Sequence, residues 1–196
     1  MESRQGRDQG THCKEQLMKL TDSLKAAAQR RSLKGWEKNS RLTGIEPLSE
    51  IQTAVVFIDA DIPGVVQNIA RIHEFFNTRG KKAYVYAVSM GAQLLSEGMQ
   101  KATFIHKEDL KWYGRPKRGK HHPKLDMGED MFISLFAEDS FAVEYAARCS
   151  NARFKVGRRQ LERDTYDLVV TEPEGRHFSQ IQAFDALMGF VSQIEY

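Results

Sequence analysis

The sequence predicts an α/β protein: one domain with a mostly parallel sheet of six strands between helices on both faces, and a basic helical arm at its N-terminus. Three observations predict this. From about residue 54 onward, short apolar runs alternate with amphipathic stretches, the pattern of strands buried on both faces between crossover helices. The first forty or so residues are polar and basic, with little apolar surface to bury. Of 196 residues, 41% are hydrophobic and 28% charged, as in ordinary globular chains, so the roughly 150 residues beyond the arm suffice for one core. The expected division is residues 1–47 as arm and linker and residues 48–196 as the domain.

The arm runs over residues 14–42. Leu17, Leu20, Leu24 and Ala28 recur at helical spacing, and Lys19, Lys25, Arg30, Arg31, Lys34 and Lys38 fill the other faces. Thr21 or Asp22 is placed to cap a second, shorter helix. With so narrow an apolar stripe, the arm is expected to pack lightly or to fold on a partner. Gly44-Ile-Glu-Pro47 reads as the linker.

The first strand is Ala54-Val-Val-Phe-Ile-Asp59. Asp61 stands where a helix N-cap belongs, with Pro63 in the first turn. Val65, Val66, Ile69, Ile72, Phe75 and Phe76 trace one helical face, which Gly80 ends. Ala83-Tyr-Val-Tyr-Ala-Val88 follows, completing a β-α-β unit. A short helix is expected over Ala92-Gln-Leu-Leu95, then a strand at Thr103-Phe-Ile-His106 and a loop over residues 109–124. Met131-Phe-Ile-Ser-Leu-Phe136 is a buried strand, and Asp139 or Ser140 caps a helix from Phe141 to Cys149. Phe154-Lys-Val-Gly157 and Asp167-Leu-Val-Val-Thr171 are the last strands. A final helix over residues 179–194 buries Ile181, Phe184, Leu187, Met188 and Val191. Helices on both faces of such a sheet make a three-layer, Rossmann-like domain.

The net charge of +3 is unevenly placed: residues 1–42 hold ten Lys/Arg against five Asp/Glu, and residues 101–124 eight against two, while residues 125–196 hold seven against thirteen. Two basic zones beside an acidic body suggest a polyanionic partner. No apolar run approaches the roughly 20 residues of a membrane span. MESRQGRDQG lacks the apolar stretch of a secretory signal, and Cys13 and Cys149 are too far apart to suggest a disulfide framework. A cytoplasmic protein with reduced thiols is expected.

No phosphate-cradling glycine motif, nucleophile elbow, C-x-x-C or H-E-x-x-H is present. The sequence therefore predicts no catalytic residue, metal or cofactor. In an open parallel sheet, ligands bind beyond the carboxyl ends of the strands. Those ends supply Asp59, Asp61, Ser89, Gly91 and Glu138, with Asp139, Thr171 and Glu172 nearby. Asp59 and Asp61 suit a hard cation or a base; the competing reading has Asp61 capping the helix and Asp59 closing the turn. Ser89-Met-Gly91 leads toward a possible helix start whose amides can face an anion. His106, His121 and His122 fit a solvated or anion-facing patch better than a metal site.

The most distinctive stretch is Lys111-Trp-Tyr-Gly-Arg-Pro-Lys-Arg-Gly-Lys-His-His-Pro-Lys124. Aromatic rings beside clustered cations can stack on bases while the cations neutralise phosphates. The candidate contacts are Lys111, Trp112, Tyr113, Arg115, Lys117, Arg118, Lys120 and Lys124, joined by Arg30, Arg31, Lys34 and Lys38 of the arm. In the competing reading, Trp112 and Tyr113 anchor the loop and the cations stay in water.

These residues resemble a bacterial family of unknown function. The resemblance is carried by the basic N-terminal helix, Phe57-Ile-Asp59, Asp109-Leu-Lys-Trp-Tyr-Gly-Arg-Pro-Lys117, Met131-Phe-Ile-Ser-Leu-Phe136, Phe154-Lys-Val-Gly157 and Tyr166-Asp-Leu-Val169. It lends no activity. Glu144-Tyr-Ala-Ala-Arg-Cys-Ser-Asn-Ala-Arg-Phe-Lys-Val-Gly157 is also similar, more faintly, to the N-terminal half of heptosyltransferase-type glycosyltransferases. That likeness implies a sugar-nucleotide enzyme whose donor site lies mainly in a second Rossmann-like half. The leading expectation is a non-enzymatic binding protein that engages RNA, on a ribosomal particle or elsewhere, through arm and loop. The alternative is a nucleotide-binding or glycosyltransferase-like enzyme using Asp59, Ser89 and Glu138; a protein-interaction module is a third.

Overall fold

The computed structural model describes residues 8–34, 36, 44–91, 101–117, 129–161 and 164–195. Six strands form one sheet: β1 (Thr53–Asp59), β2 (Lys82–Ser89), β3 (Ala102–His106), β4 (Met131–Ser134), β5 (Phe154–Gly157) and β6 (Leu168–Val169). The order is β3-β2-β1-β4-β5-β6 and every pair is parallel. The winding starts at β1 and proceeds outward to β3, then returns to β4 on the other side. The topological switch thus falls between β1 and β4, where a parallel α/β sheet opens a crevice.

Strand alternation divides the core into two. Ala54, Val56 and Ile58 of β1 pack against α2 (Val65–Asn77) and α4 (Gln180–Val191), where Phe76, Phe184 and Leu187 are fully enclosed. Val55 and Phe57 face the opposite way, toward α3 (Phe141–Cys149) and the end of α1 (Asp8–Leu33). On that face an aromatic row crosses the sheet: Tyr86 stacks on Phe57 at 5.2 Å, Phe57 on Phe132 at 5.3 Å, and Phe132 on Tyr166 at 6.5 Å. Each fully buried phenylalanine contributes about 1.5–3 kcal/mol of transfer free energy, so these two layers carry the domain.

Four local expectations are corrected. The arm helix is continuous from Asp8 to Leu33; Thr21 does not start a new helix but donates its hydroxyl to the Met18 carbonyl within the existing one. The expected apolar stripe is not what docks it, for Leu20 and Leu24 are 63% and 62% exposed while Leu33, outside that stripe, is 6% exposed. The cap of α2 is Gly64, at φ 82°, and not Asp61. Asp61 is held by the end of β2 instead. β4 and β6 are shorter than their apolar runs, although the Leu135 amide still bonds the Phe57 carbonyl at 3.0 Å. The helix expected over Ala92–Leu95 lies outside the described residues. Among the described residues, no helix is long and apolar enough to cross a membrane.

Candidate ligand cleft and nucleic-acid interface

The strand ends are fixed by hydrogen bonds before any ligand is considered. Gln180, buried at the start of α4, accepts from the Asp59 amide at 2.8 Å and donates to its carbonyl at 3.4 Å. The Asp59 carboxylate accepts from the Asp61 amide at 2.8 Å, closing the turn as an Asx side chain does. Burial pushes the Asp59 carboxyl above its ordinary value; the bond from the Asp61 amide opposes this, and the charges of Asp61 and Glu138 add to it.

Asp61 shows the reverse balance. Burial raises its pKa, but donors outweigh it: Ser89 Oγ at 2.5 Å, the Met90 amide at 2.6 Å and the Gly91 amide at 3.0 Å hold the carboxylate below its ordinary value. The amides of Met90 and Gly91 therefore already hold an anion, the protein's own. A Cβ at Gly91 would come within 3.0 Å of that carboxylate.

Beyond these ends, at the β1–β4 switch, lies a cleft of about 1010 Å³. Asp59 and Asp61 line its floor side, Glu138 and Phe141 the α3 side, and Gln29 with Lys25 the α1 side. Among the described residues, no group of three or more His, Cys, Asp or Glu converges to hold a metal ion. Arg159 reaches into the cleft, donating to Asp139 at 3.1 Å. Glu172 lies apart, paired with the buried Arg158; burial raises its pKa, but the bonds from Arg158 and the Phe178 amide hold it below its ordinary value.

The loop beside the cleft has a definite shape. Leu110 bridges Pro116, and the Lys111 amide bonds the Arg115 carbonyl at 2.8 Å. The turn between them needs Gly114 at φ 91°, a left-handed conformation cheap only for glycine. Tyr113 packs on Phe141, 6.4 Å between centroids, and Arg115 lies over the Tyr145 ring at 5.0 Å. Trp112 meets the Tyr113 ring edge-on at 5.5 Å and is 68% exposed; Lys111 and Lys117 are also exposed, the Lys117 ammonium donating to the Glu108 carbonyl at 2.6 Å. The loop thus divides: Tyr113 and Arg115 anchor it and Lys117 ties back to Glu108, while Trp112 and Lys111 are exposed to water.

The arm reaches this loop directly. Gln29 of α1 donates to the Tyr113 carbonyl at 2.9 Å, and Leu33 with Trp36 packs into the α3-side core. Arg30, Arg31 and Lys34 remain exposed. Lys38, Arg118, Lys120, Lys124, His121 and His122 lie outside the described residues. Sequence reasoning missed Gln29, Gln180 and Arg159 because nothing local marks them; each acts on a residue far away in the chain.

Fold and cleft together define a Rossmann-like α/β protein with a crevice at its topological switch. Residues 24–183 match a family of unknown function (DUF6913), and the chain belongs to that family. The matched span begins within α1, so it takes in Gln29 and Leu33, the loop and the cleft. No curated protein and no solved structure matches the chain.

Proposed function

We propose that the protein is a non-catalytic, RNA-binding member of its family, acting in the bacterial cytoplasm and gripping a single strand with the joined face of α1 and the Lys111–Lys117 loop. The observation that carries this reading is the hydrogen bond from Gln29 to the Tyr113 carbonyl. It makes two basic zones, far apart in sequence, neighbours in space. Trp112 stands exposed beside Lys111, and Arg30, Arg31 and Lys34 are unburied on the adjoining helix. Exposed rings among cations grip single strands by stacking and by phosphate neutralisation. Ribosomal RNA is one abundant source of such strands.

A second reading, a nucleotide-binding or transferase-like enzyme, is favoured by the cleft at the strand ends. Among the described residues its lining argues against a nucleotide's phosphates: Asp22, Asp59, Asp61, Glu138, Asp139 and Glu144 outnumber Lys25 and Arg159, and like charges repel.

Tryptophan fluorescence tests the leading reading. Of the two tryptophans, Trp36 is half-buried and Trp112 is exposed. Short single-stranded RNA should quench the emission saturably at low ionic strength, and Trp112→Phe should remove most of the quenching. Absence of any RNA binding at low salt would overturn the reading.

A further inference from the structure

The cleft is walled by the same two elements as the basic face, since Gln29 and Tyr113 both line it. Its interior differs chemically from that outer face. Several of its carboxylates are already engaged: Asp61 by the end of β2, Asp139 by Arg159, and Glu144 by Arg148 at 2.7 Å. Glu138 makes no hydrogen bond or ion pair among the described residues, and Asp59 has one oxygen taken by the Asp61 amide. A phosphate entering this space meets excess negative charge. A flat ring bearing N–H donors meets carboxylate acceptors and the Tyr113, Phe136 and Phe141 rings.

We propose that the cleft receives one unstacked guanine base, its ring against the Tyr113–Phe141 wall and its N1–H and N2–H groups donated to the Glu138 carboxylate. This rests on the RNA reading, which places the strand on the adjoining face with its phosphates outside. Single-stranded bases are commonly splayed out, stacked on aromatic side chains and read along their Watson–Crick edges. Guanine fits because that edge sets two donors side by side, matching the two oxygens of one carboxylate. Adenine and cytosine set one amino group beside a ring acceptor that a carboxylate repels, and uracil flanks its single N–H with carbonyls. A cleft of about 1010 Å³ has ample room for a nucleoside.

Nucleosides, which carry no phosphate, test the cleft apart from the basic face. Guanosine, inosine and adenosine are titrated into the full chain by saturation-transfer NMR, and a uridine decamer is titrated in parallel. Guanosine should bind, and inosine, lacking only the N2 amino group, should bind about tenfold more weakly. Glu138→Gln should weaken guanosine by about tenfold and leave the decamer's affinity unchanged. Equal binding of guanosine and inosine, or indifference to Glu138→Gln, would overturn the inference even if the decamer binds. Guanosine binding with that selectivity, but no binding of the decamer, would support the cleft and sink the RNA reading instead.

Discussion

Asp61 holds the end of β2 through Ser89: the hydroxyl donates to its carboxylate at 2.5 Å, and the Met90 and Gly91 amides add bonds at 2.6 Å and 3.0 Å. One side chain from the turn after β1 thus sets the path of the chain leaving its neighbour. Asp61→Asn keeps one acceptor oxygen and loses the charge. For so exposed a group the cost should be about 1 kcal/mol at neutral pH. These donors hold the folded-state pKa below the ordinary 3.8 despite burial. The stabilisation is therefore complete above that value and lost as pH falls through the folded-state pKa. Urea denaturation of wild type and variant should show a gap at pH 7 that narrows in strong acid; a gap that widens would contradict the assignment.

Gly157 is required by Tyr166. A Cβ at Gly157 would come within 2.5 Å of the ring carbons, and the ring is buried, with its hydroxyl bonded to Ser134. Gly157→Ala should cost about 1–3 kcal/mol by overpacking. Tyr166→Leu in the same chain should recover part of that cost. Thermal melts of the two single variants and the double variant give the coupling, and strict additivity would mean that the ring and the glycine do not meet.

The end of α1 should be a separable but stabilising attachment. Leu33 and Trp36 enter the α3-side core, whereas Leu20 and Leu24 do not touch it. Removing residues 1–47 should leave a cooperative unfolding transition at a lower Tm, since the sheet and α2 to α4 remain. Leu33→Ala should cost about 2 kcal/mol or less, below the usual range for a core leucine, because α1 can undock before the sheet unfolds. Hydrogen exchange should then accelerate in α1 and not in β1. Loss of all cooperative melting in the truncated chain would make α1 an integral part of the domain.

The strands and helices were legible because burial on both faces leaves continuous apolar runs and stripes. The span from Phe141 to Cys149 and Phe154-Lys-Val-Gly157 match α3 and β5 to the residue. Strand order was not legible, since a run such as Met131-Phe-Ile-Ser134 looks the same at any position in the sheet. At the site, Asp59 closing its turn was foreseeable from Asp-x-Asp spacing. Asp61 misled because an aspartate before an apolar periodicity reads as a cap, and its real donors sit 28 to 30 residues away. Gln29 meeting Tyr113, 84 residues apart, had no local signature. The arm misled for a related reason: Leu20 and Leu24 of its stripe lie on a helix face that the domain does not cover.

A single RNA-binding face formed by α1 and the loop would show itself in the salt dependence of binding. Affinity of the full chain for a single-stranded RNA decamer is measured by fluorescence anisotropy across a series of salt concentrations. The slope of log affinity against log salt should be negative by about 0.7 per phosphate contact. Neutralising Arg30, Arg31 and Lys34 to Gln, or Lys111 and Lys117 to Gln, should each flatten it, because both zones touch the same strand. Trp112→Ala should weaken binding by about 1–3 kcal/mol and leave the slope unchanged, the signature of stacking. A slope near zero, or one that responds to the loop and ignores the arm, would contradict the joined face.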